Sequence, residues 1–398
     1  MRIPACAGGE SFFDKLLVFG EPLIQEDEIK EMMDTLRSRW IGLGDKTIQF
    51  EEAFGAFTRS EGMIALSSCT AGLHIALQLF DLPRGSEILV PSMTFCSAVN
   101  MVELSNYRPV FADCDPTTRC MGAREIESRL TPSIRAVMIV HFAGHPCRMD
   151  EINSICNSKN LPVIEDCAHA IETHHGGKHV GTENFAASYS FYANKNMTTG
   201  EGGMLYIQDP GKRAMARQIS LHGMSKSAWK RYSDKGHQHY DILVPGFKYN
   251  MTDMQASLGL HQLKRLPENW KKRKKVWRMY SEGLKDMPLE LPADVQEEGD
   301  VHAYHLFSPL LKTDEVKISR DDLLNALIEE NIGIGVHYNA LHTSTYYRKT
   351  YNLEPESCPV SYDIGLRTFS LPLTPYLTEK RVEGVIVALR SILEYYRR

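Results

Sequence analysis

Between residues 63 and 207 short apolar runs alternate with runs of helical periodicity, and this alternation restricts the fold more than any other feature of the chain. The apolar runs are Met63–Ser67, Glu87–Val90, Pro109–Ala112, Ile134–Val140, Leu161–Ile164, Ala186–Tyr192 and Met204–Ile207, with helical segments at Leu73–Leu77, Arg124–Leu130 and Met149–Lys159 among them. Short apolar runs suit strands buried on both faces, and repeated β-α-β order predicts a mostly parallel mixed sheet flanked by helices. Two amphipathic helices precede it. Ile29, Met32, Met33 and Leu36 mark one over Glu26–Ser38, and Phe50, Phe54 and Phe57 mark another over Thr47–Thr58.

The apolar run Leu161-Pro162-Val163-Ile164 ends in Glu165-Asp166-Cys167-Ala168-His169-Ala170, which puts a carboxylate at the C-terminal end of a buried strand. Open α/β sheets place ligand groups there. Downstream, the run ending at Tyr192 delivers Lys195 into a loop of small, polar and glycine residues, Ala193 to Gly203, where an amine can approach a ligand without bulky neighbours. A lysine picked at random is a solvated surface group. A lysine amine that condenses with an aldehyde and an aspartate that pairs with a pyridinium nitrogen are, however, the two protein groups that pyridoxal phosphate chemistry requires. Lys195 and Asp166 are the candidates for these roles.

Ser67-Ser68-Cys69-Thr70-Ala71-Gly72 leads from a strand into a helix. Hydroxyl side chains and free amides at a helix start form either a plain cap or a cradle for phosphate, and both readings fit this stretch. Phe95 follows the strand Glu87–Val90, where a ring either joins the core or covers the face of a flat ligand.

The paired motifs Glu-Asp-x-Ala-His-Ala and Ser-Phe-x-x-x-Lys-Asn-x-Thr-x-Gly-Glu-Gly-Gly, in this order and spacing, resemble those of the DegT/DnrJ/EryC1/StrS sugar aminotransferases. The resemblance runs from about Phe19 to the C-terminus, and it is nearest to the branch that forms UDP-4-amino-4-deoxy-L-arabinose. It implies a fold-type-I aminotransferase large domain with a smaller C-terminal α/β domain. It also implies a homodimer with shared active sites, and transfer of the amine of glutamate, which leaves as 2-oxoglutarate, to a nucleotide-linked keto sugar. For cofactor contacts it points to Thr70, Ala71, Phe95, Asp166, His169, Ser190 and Lys195. The segment Phe247-Lys248-Tyr249-Asn250-Met251-Thr252-Asp253 is similar to one whose asparagine reaches the cofactor phosphate of the neighbouring subunit, which implicates Asn250 and, on the substrate side, Lys248. His337 and Tyr338 fall in a segment that resembles the nucleotide-sugar side of the family's pocket, although a structural histidine fits position 337 equally well. The loop Trp40-Ile41-Gly42-Leu43-Gly44-Asp45 departs from the family pattern at Gly42 and Asp45, where a hydroxyl residue and proline are usual. A related dehydratase branch carries histidine at the lysine position, and Lys195 argues against it.

The 398 residues suit a division into an N-terminal extension (1–18), a large cofactor-binding domain (19–265) and a linking helix with a small domain (266–398). In the last part, strands are expected at Tyr304–Leu311 and Gly333–His337, and helices at Arg320–Glu330 and Glu379–Tyr396. A helix starts with Thr252 as its N-cap. The basic run Lys271-Lys272-Arg273-Lys274-Lys275, with Trp270, Val276, Trp277, Met279 and Tyr280 around it, reads as part of a long helix with a solvated face and a buried one that joins the two domains. The formal charge of -5 lacks the positive excess of a nucleic-acid binder, so a cofactor-free regulatory protein using that run is the weaker alternative. Nine scattered cysteines, none in a Cys-x-x-Cys pair, suggest neither zinc nor a disulfide framework and fit a reducing cytoplasm. No apolar run is long enough to span a bilayer.

Overall fold

The computed structural model describes residues 2–225 and 240–398, so most of the polar stretch Ser225–Asp241, expected to be mobile or to touch substrate, lies outside the described residues. Helices α1 (Glu26–Ser38) and α2 (Asp45–Thr58) come first. α2 begins two residues earlier than its apolar pattern suggests, because a distant carboxylate caps it. Asp253 accepts from the Lys46 amide (3.2 Å), the Thr47 amide (2.9 Å) and the Thr47 hydroxyl (2.7 Å), filling donors that the helix itself leaves open.

The chain then runs β1 (Ile64–Leu66), α3 (Cys69–Gln78), β2 (Glu87–Pro91), α4 (Cys96–Leu104), β3 (Arg108–Ala112), α5 (Ala123–Glu127), β4 (Ile134–Val140), α6 (Met149–Ser158) and β5 (Val163–Asp166). A short hairpin, β6 (His174–His175) and β7 (Lys178–His179), leads to β8 (Ala186–Ser190), β9 (Gly203–Ile207) and α7 (Pro210–Ile219). Seven strands form one sheet in the order β1-β9-β8-β5-β4-β2-β3. β9 is antiparallel to both its neighbours, while β8-β5, β5-β4, β4-β2 and β2-β3 pair in parallel. The expected alternation is thus realised, with the sheet buried on both faces. Leu205 packs with Leu73, Ile75 and Leu77 of α3, and its neighbour Met204 points the other way, onto Phe50, Phe54, Tyr189 and Phe191.

Three expectations for the second half need correcting. First, the helix starting at Thr252 and the basic helix are one element, α8 (Asp253–Leu284), capped reciprocally by Thr252 and Gln255. Pro267 lies inside it and removes one amide donor, yet the helix continues because Leu263, Leu266, Val276, Trp277 and Tyr280 are all buried along it. Second, Arg273 is not on the solvated face. It is 3% exposed, and its Nη1 donates to the Leu373 carbonyl at 2.8 Å. Third, Tyr304–Leu311 contributes β11 (Leu310–Leu311), paired with β10 (Leu289–Glu290), and a bridge from Phe307 to Leu371, while Gly333–His337 holds a single bridge, Gly335 to Ser370. Pro309 offers no amide, Tyr304 has φ of 49°, and two glycines weaken the other stretch.

The remaining elements are α9 (Arg320–Glu329), α10 (Thr345–Tyr351), α11 (Pro359–Arg367) and α12 (Glu379–Tyr395). α9 and α12 bury Leu323, Leu327, Val385, Leu389 and Ile392 against Trp277, Tyr280 and Leu284 of α8. Leu17 joins this cluster, and the residues before it are tied to the end of α9. Glu330, fully buried, accepts from Arg2 (2.6 Å) and from the amides of Ala5 (2.8 Å) and Phe12 (2.7 Å).

Candidate active site

Parallel strands share one carboxyl edge, and the loops leaving it meet. Asp166 ends β5, Ser190 ends β8, the Thr94–Ser97 stretch follows β2, and β9, being antiparallel, enters the sheet at this same edge through Gly202 and Gly203. A cavity of about 460 Å³ opens there, lined by Thr70, Phe95, Asp166, His169, Ser190, Lys195, His337 and Tyr338, eight of the residues singled out from sequence. Gly203 is what lets the lysine loop close over the start of α3. A Cβ at that position would meet the carbonyl carbon of Ser68 at 2.4 Å and the amide of Cys69 at 2.5 Å.

At the N-terminus of α3, Ser68 caps the helix by accepting the Ala71 amide at 3.1 Å. Capping and anion binding are therefore compatible here. Ala71 is buried behind the cap, and Ser68, Cys69 and Thr70 form the cavity wall, where first-turn amides and the helix dipole favour a phosphate.

Burial lowers the basicity of Lys195 to a pKa of about 8, against partial compensation from Asp166 and Cys69, and its Nζ makes no hydrogen bond among the described residues. Burial acts on Asp166 in the opposite sense and raises its pKa, opposed by the Ala168 amide and by Lys195. Asp166 Oδ1 accepts from that amide at 2.9 Å and lies 3.8 Å from Cys69 Sγ. The adjacent Glu165 points to the other face of the sheet, where His141 Nε2 (2.9 Å), the Gly181 amide (2.8 Å) and Asn184 Nδ2 (2.8 Å) satisfy it, so the two carboxylates of the motif divide into an anchor and a cavity group.

His169 takes the Ala143 amide on Nδ1 (3.2 Å) and meets Tyr338 Oη through Nε2 (3.2 Å). Burial, then the Lys195 charge, holds its pKa well below the usual histidine range. His337 shares a hydrogen with Ser370 Oγ at 2.8 Å and stacks on Phe19 at 5.5 Å, so it is anchored structurally and also lines the cavity. Phe95 stands at the mouth, 55% exposed, with its ring 6.0 Å from that of Tyr338. Three of the residues singled out from sequence stay outside: Ala71, behind the cap, and Lys248 and Asn250. Lys248 Nζ donates to Asn250 Oδ1 at 2.5 Å, Asn250 Nδ2 donates to the Met251 carbonyl at 2.9 Å, and neither side chain lines the cavity of its own chain. Sequence reasoning passed over Cys69, Thr94, Tyr192 and Asn194, which line it too. All four lie within three residues of a motif position, which is the signal that could have found them.

Comparison with known proteins agrees with this geometry. The profile of the DegT/DnrJ/EryC1/StrS aminotransferase family matches residues 22–390. The chain is 39% identical over 381 residues to the spore coat polysaccharide biosynthesis protein SpsC of Bacillus subtilis (strain 168), covering 95% of this chain and 97% of that one. Among solved structures, a putative sugar aminotransferase of Streptococcus pneumoniae, Spr1654, in its PMP-form superposes with a TM-score of 0.89 at 28% identity, covering 95% of this chain and 99% of that one. Its PLP-form gives 0.87 at the same identity, covering 96% of this chain and 99% of that one. A sequence match across nearly the whole chain, the shared fold, and a lysine and an aspartate facing one cavity all converge: the chain belongs to the DegT/DnrJ/EryC1/StrS aminotransferase family.

Proposed function

We propose that the protein is a pyridoxal phosphate-dependent aminotransferase that moves the amine of glutamate to a nucleotide-linked 4-keto sugar, with a UDP sugar favoured. The observation that carries this reading is that Lys195, with its basicity lowered to near neutrality, and Asp166 line one cavity beside the N-terminus of α3. The residues present fit the cofactor: a cradle for phosphate at Ser68 to Thr70, a carboxylate at the sheet edge, rings at Phe95 and His169, and an amine without a hydrogen-bond partner among the described residues.

When bound, pyridoxal phosphate supplies an electron sink for the substrate carbon that loses a proton. The protein does the rest. Thr70 and the first turn of α3 would hold the phosphate, and Asp166 would keep a proton on the ring nitrogen. Phe95 and His169, both lining the cavity, would pack on the ring. Lys195 Nζ, whose basicity burial lowers, would take the proton from the donor carbon and return one in the second half of the cycle. Glutamate leaves as 2-oxoglutarate, and the sugar ketone leaves as an amine. Purified protein given glutamate and a panel of nucleotide 4-keto sugars is expected to release 2-oxoglutarate with UDP-linked pentose or hexose ketones. Release that stops at one equivalent per site with every member of the panel, by protein that binds the cofactor, overturns the acceptor class.

The active unit in this reading is a cytoplasmic homodimer in which Asn250 and Lys248 complete the partner's cavity. Both lie outside their own cavity, while Trp40, Ile41, Tyr192, Ile242 and Leu243 are exposed apolar side chains that an association would cover. Complementation tests it. Lys195→Ala protein is mixed with an Asn250 variant that is nearly inactive alone, and subunits are allowed to exchange. Half the dimers become mixed and each has one intact site, so about a quarter of all sites recover. Demonstrated exchange with no recovered activity rules the shared site out. The domain division at residues 18 and 265 is proposed on the same footing.

A further inference from the structure

Behind His169 a line of buried polar side chains comes from four separate stretches of chain. Glu172 follows β5, Asn196 follows Lys195, His305 precedes β11 and Arg273 sits on α8, and none is more than 6% exposed. Asn196 Nδ2 donates to Glu172 Oε2 (2.8 Å) and to the Ala303 carbonyl (2.8 Å), and Asn196 Oδ1 lies 2.9 Å from His305 Nδ1. The His305 ring in turn backs the His169 ring, with centroids 4.4 Å apart and planes inclined by 35°.

An amide has one donor end and one acceptor end, which turns these distances into an assignment of protons. Two acceptors, the Glu172 carboxylate and the Ala303 carbonyl, hold the NH2 of Asn196, so its oxygen faces His305. That oxygen only accepts, and His305 Nδ1 therefore carries the proton. Burial lowers the basicity of both His305 and His169 well below the usual range, so each ring is neutral with a single N–H. At His169 the assignment is reversed: Nδ1 accepts the Ala143 amide, and the proton sits on Nε2, which donates to Tyr338 Oη.

We propose that Glu172, Asn196 and His305 are positioning residues of the transamination reaction, which fix His305 as the neutral Nδ1–H tautomer and thereby hold His169 as an uncharged wall of the cavity beside Lys195. This rests on the reading of the cavity given above. The titratable and charged groups facing His305 are His169, Lys195, Arg273 and His337. A proton added to His305 would set a cation among them, favour the neutral amine of Lys195, and weaken the packing of His305 on His169. Glu172, whose pKa burial raises to about 7 against the pull of Arg273 and Asn196, keeps its acceptor oxygen toward Asn196 whether or not it is ionised.

The test uses substitutions that hardly change shape. Asn196→Asp removes the donor end and offers His305 a carboxylate, whereas Glu172→Gln still presents a carbonyl oxygen to Asn196. In cofactor-free protein with ¹⁵N-labelled histidine, the resonances lost in His305→Phe identify His305. The wild type and Glu172→Gln are expected to show a proton on Nδ1 alone at pH 7, and Asn196→Asp a doubly protonated ring. In cofactor-loaded protein, Asn196→Asp is expected to lower kcat by about tenfold or more with little change in KM, and to move the pH titration of the visible absorbance by about one unit. A wild-type His305 protonated on Nε2 overturns the proposal without any need for Asn196→Asp to fold. So does an Asn196→Asp protein whose kcat and absorbance titration match wild type, because a packing role does not distinguish these two residues. Correct tautomers in a protein that takes up no pyridoxal phosphate refute the cavity's functional reading and, with it, any role of these residues in that reaction.

Discussion

Lys195→Ala is expected to reduce turnover by on the order of 10⁴-fold or more, leaving a folded protein that still binds pyridoxamine phosphate. The side chain is expendable to the fold. The loop is held by its backbone, with the Lys195 amide on the Tyr192 carbonyl (3.0 Å) and the Thr199 amide on the Phe191 carbonyl (3.0 Å), and Nζ adds no hydrogen bond among the described residues. Its chemistry is another matter. With a pKa of about 8, roughly one amine in ten is free at pH 7, against roughly one in a few thousand for an exposed lysine. The rate at which cofactor-free wild type takes up pyridoxal phosphate should therefore rise with pH and level off above about 8. Borohydride should then fix the cofactor to Lys195, seen by mass spectrometry, and Lys195→Ala should show no such adduct. The sign for stability is opposite to that for activity. A lysine whose folded pKa lies below its unfolded one is penalised below pH 8 and recovers as pH rises, so the cofactor-free alanine variant should melt no lower than wild type at pH 7. A variant that transaminates at a wild-type rate, or one that loses activity only because it unfolds, contradicts the assignment of Lys195.

Local patterns were legible where local forces set them. β4 occupies the very residues, Ile134–Val140, that the apolar run marks, because a strand buried on both faces writes its bounds directly into composition. The cavity was legible for the same reason. Asp166, Ser190 and Lys195 are consecutive features of the sheet edge, and a parallel sheet gathers its carboxyl ends on one side whatever the rest of the chain does. What stayed hidden was set by distant partners. The Thr252 helix and the basic run read as separate pieces, although burial of Leu266, Trp277 and Tyr280 carries one helix through Pro267, and the burial of Arg273 shows only once Leu373 is known to lie beside it. The early start of α2 depends on Asp253, more than two hundred residues on. Glu172 and His305 belong to no local pattern, and the motif that contains Asn196 does not show its partners, since each of the three finds its partner across at least 24 positions of sequence.

Asp166→Asn should separate catalysis from folding even more sharply, because the carboxylate costs the cofactor-free fold what it contributes to the reaction. Burial raises the Asp166 pKa. A carboxyl whose folded pKa exceeds its unfolded one contributes a stability that is full at low pH and declines as pH rises through that interval, so a neutral asparagine at 166 removes a penalty at pH 7. The cofactor-free variant should melt at or above the wild-type temperature. The local geometry survives, since an amide oxygen at Oδ1 can still accept the Ala168 amide. The second oxygen, which accepts no hydrogen bond among the described residues, is the one available to a pyridinium nitrogen. Replaced by an NH2 group it offers a donor where an acceptor is needed, and no charge remains to keep the ring nitrogen protonated. Removing one such preorganised electrostatic partner costs about 10²–10³-fold in kcat. The cofactor should still bind through Thr70, the first turn of α3 and Lys195, so the loss should appear in kcat with the cofactor in place. Steady-state kinetics at saturating pyridoxal phosphate, beside a melting curve of the cofactor-free protein, measures both. Activity within about threefold of wild type, under about 1 kcal/mol in transition-state terms, would exclude Asp166 from the ring-nitrogen role.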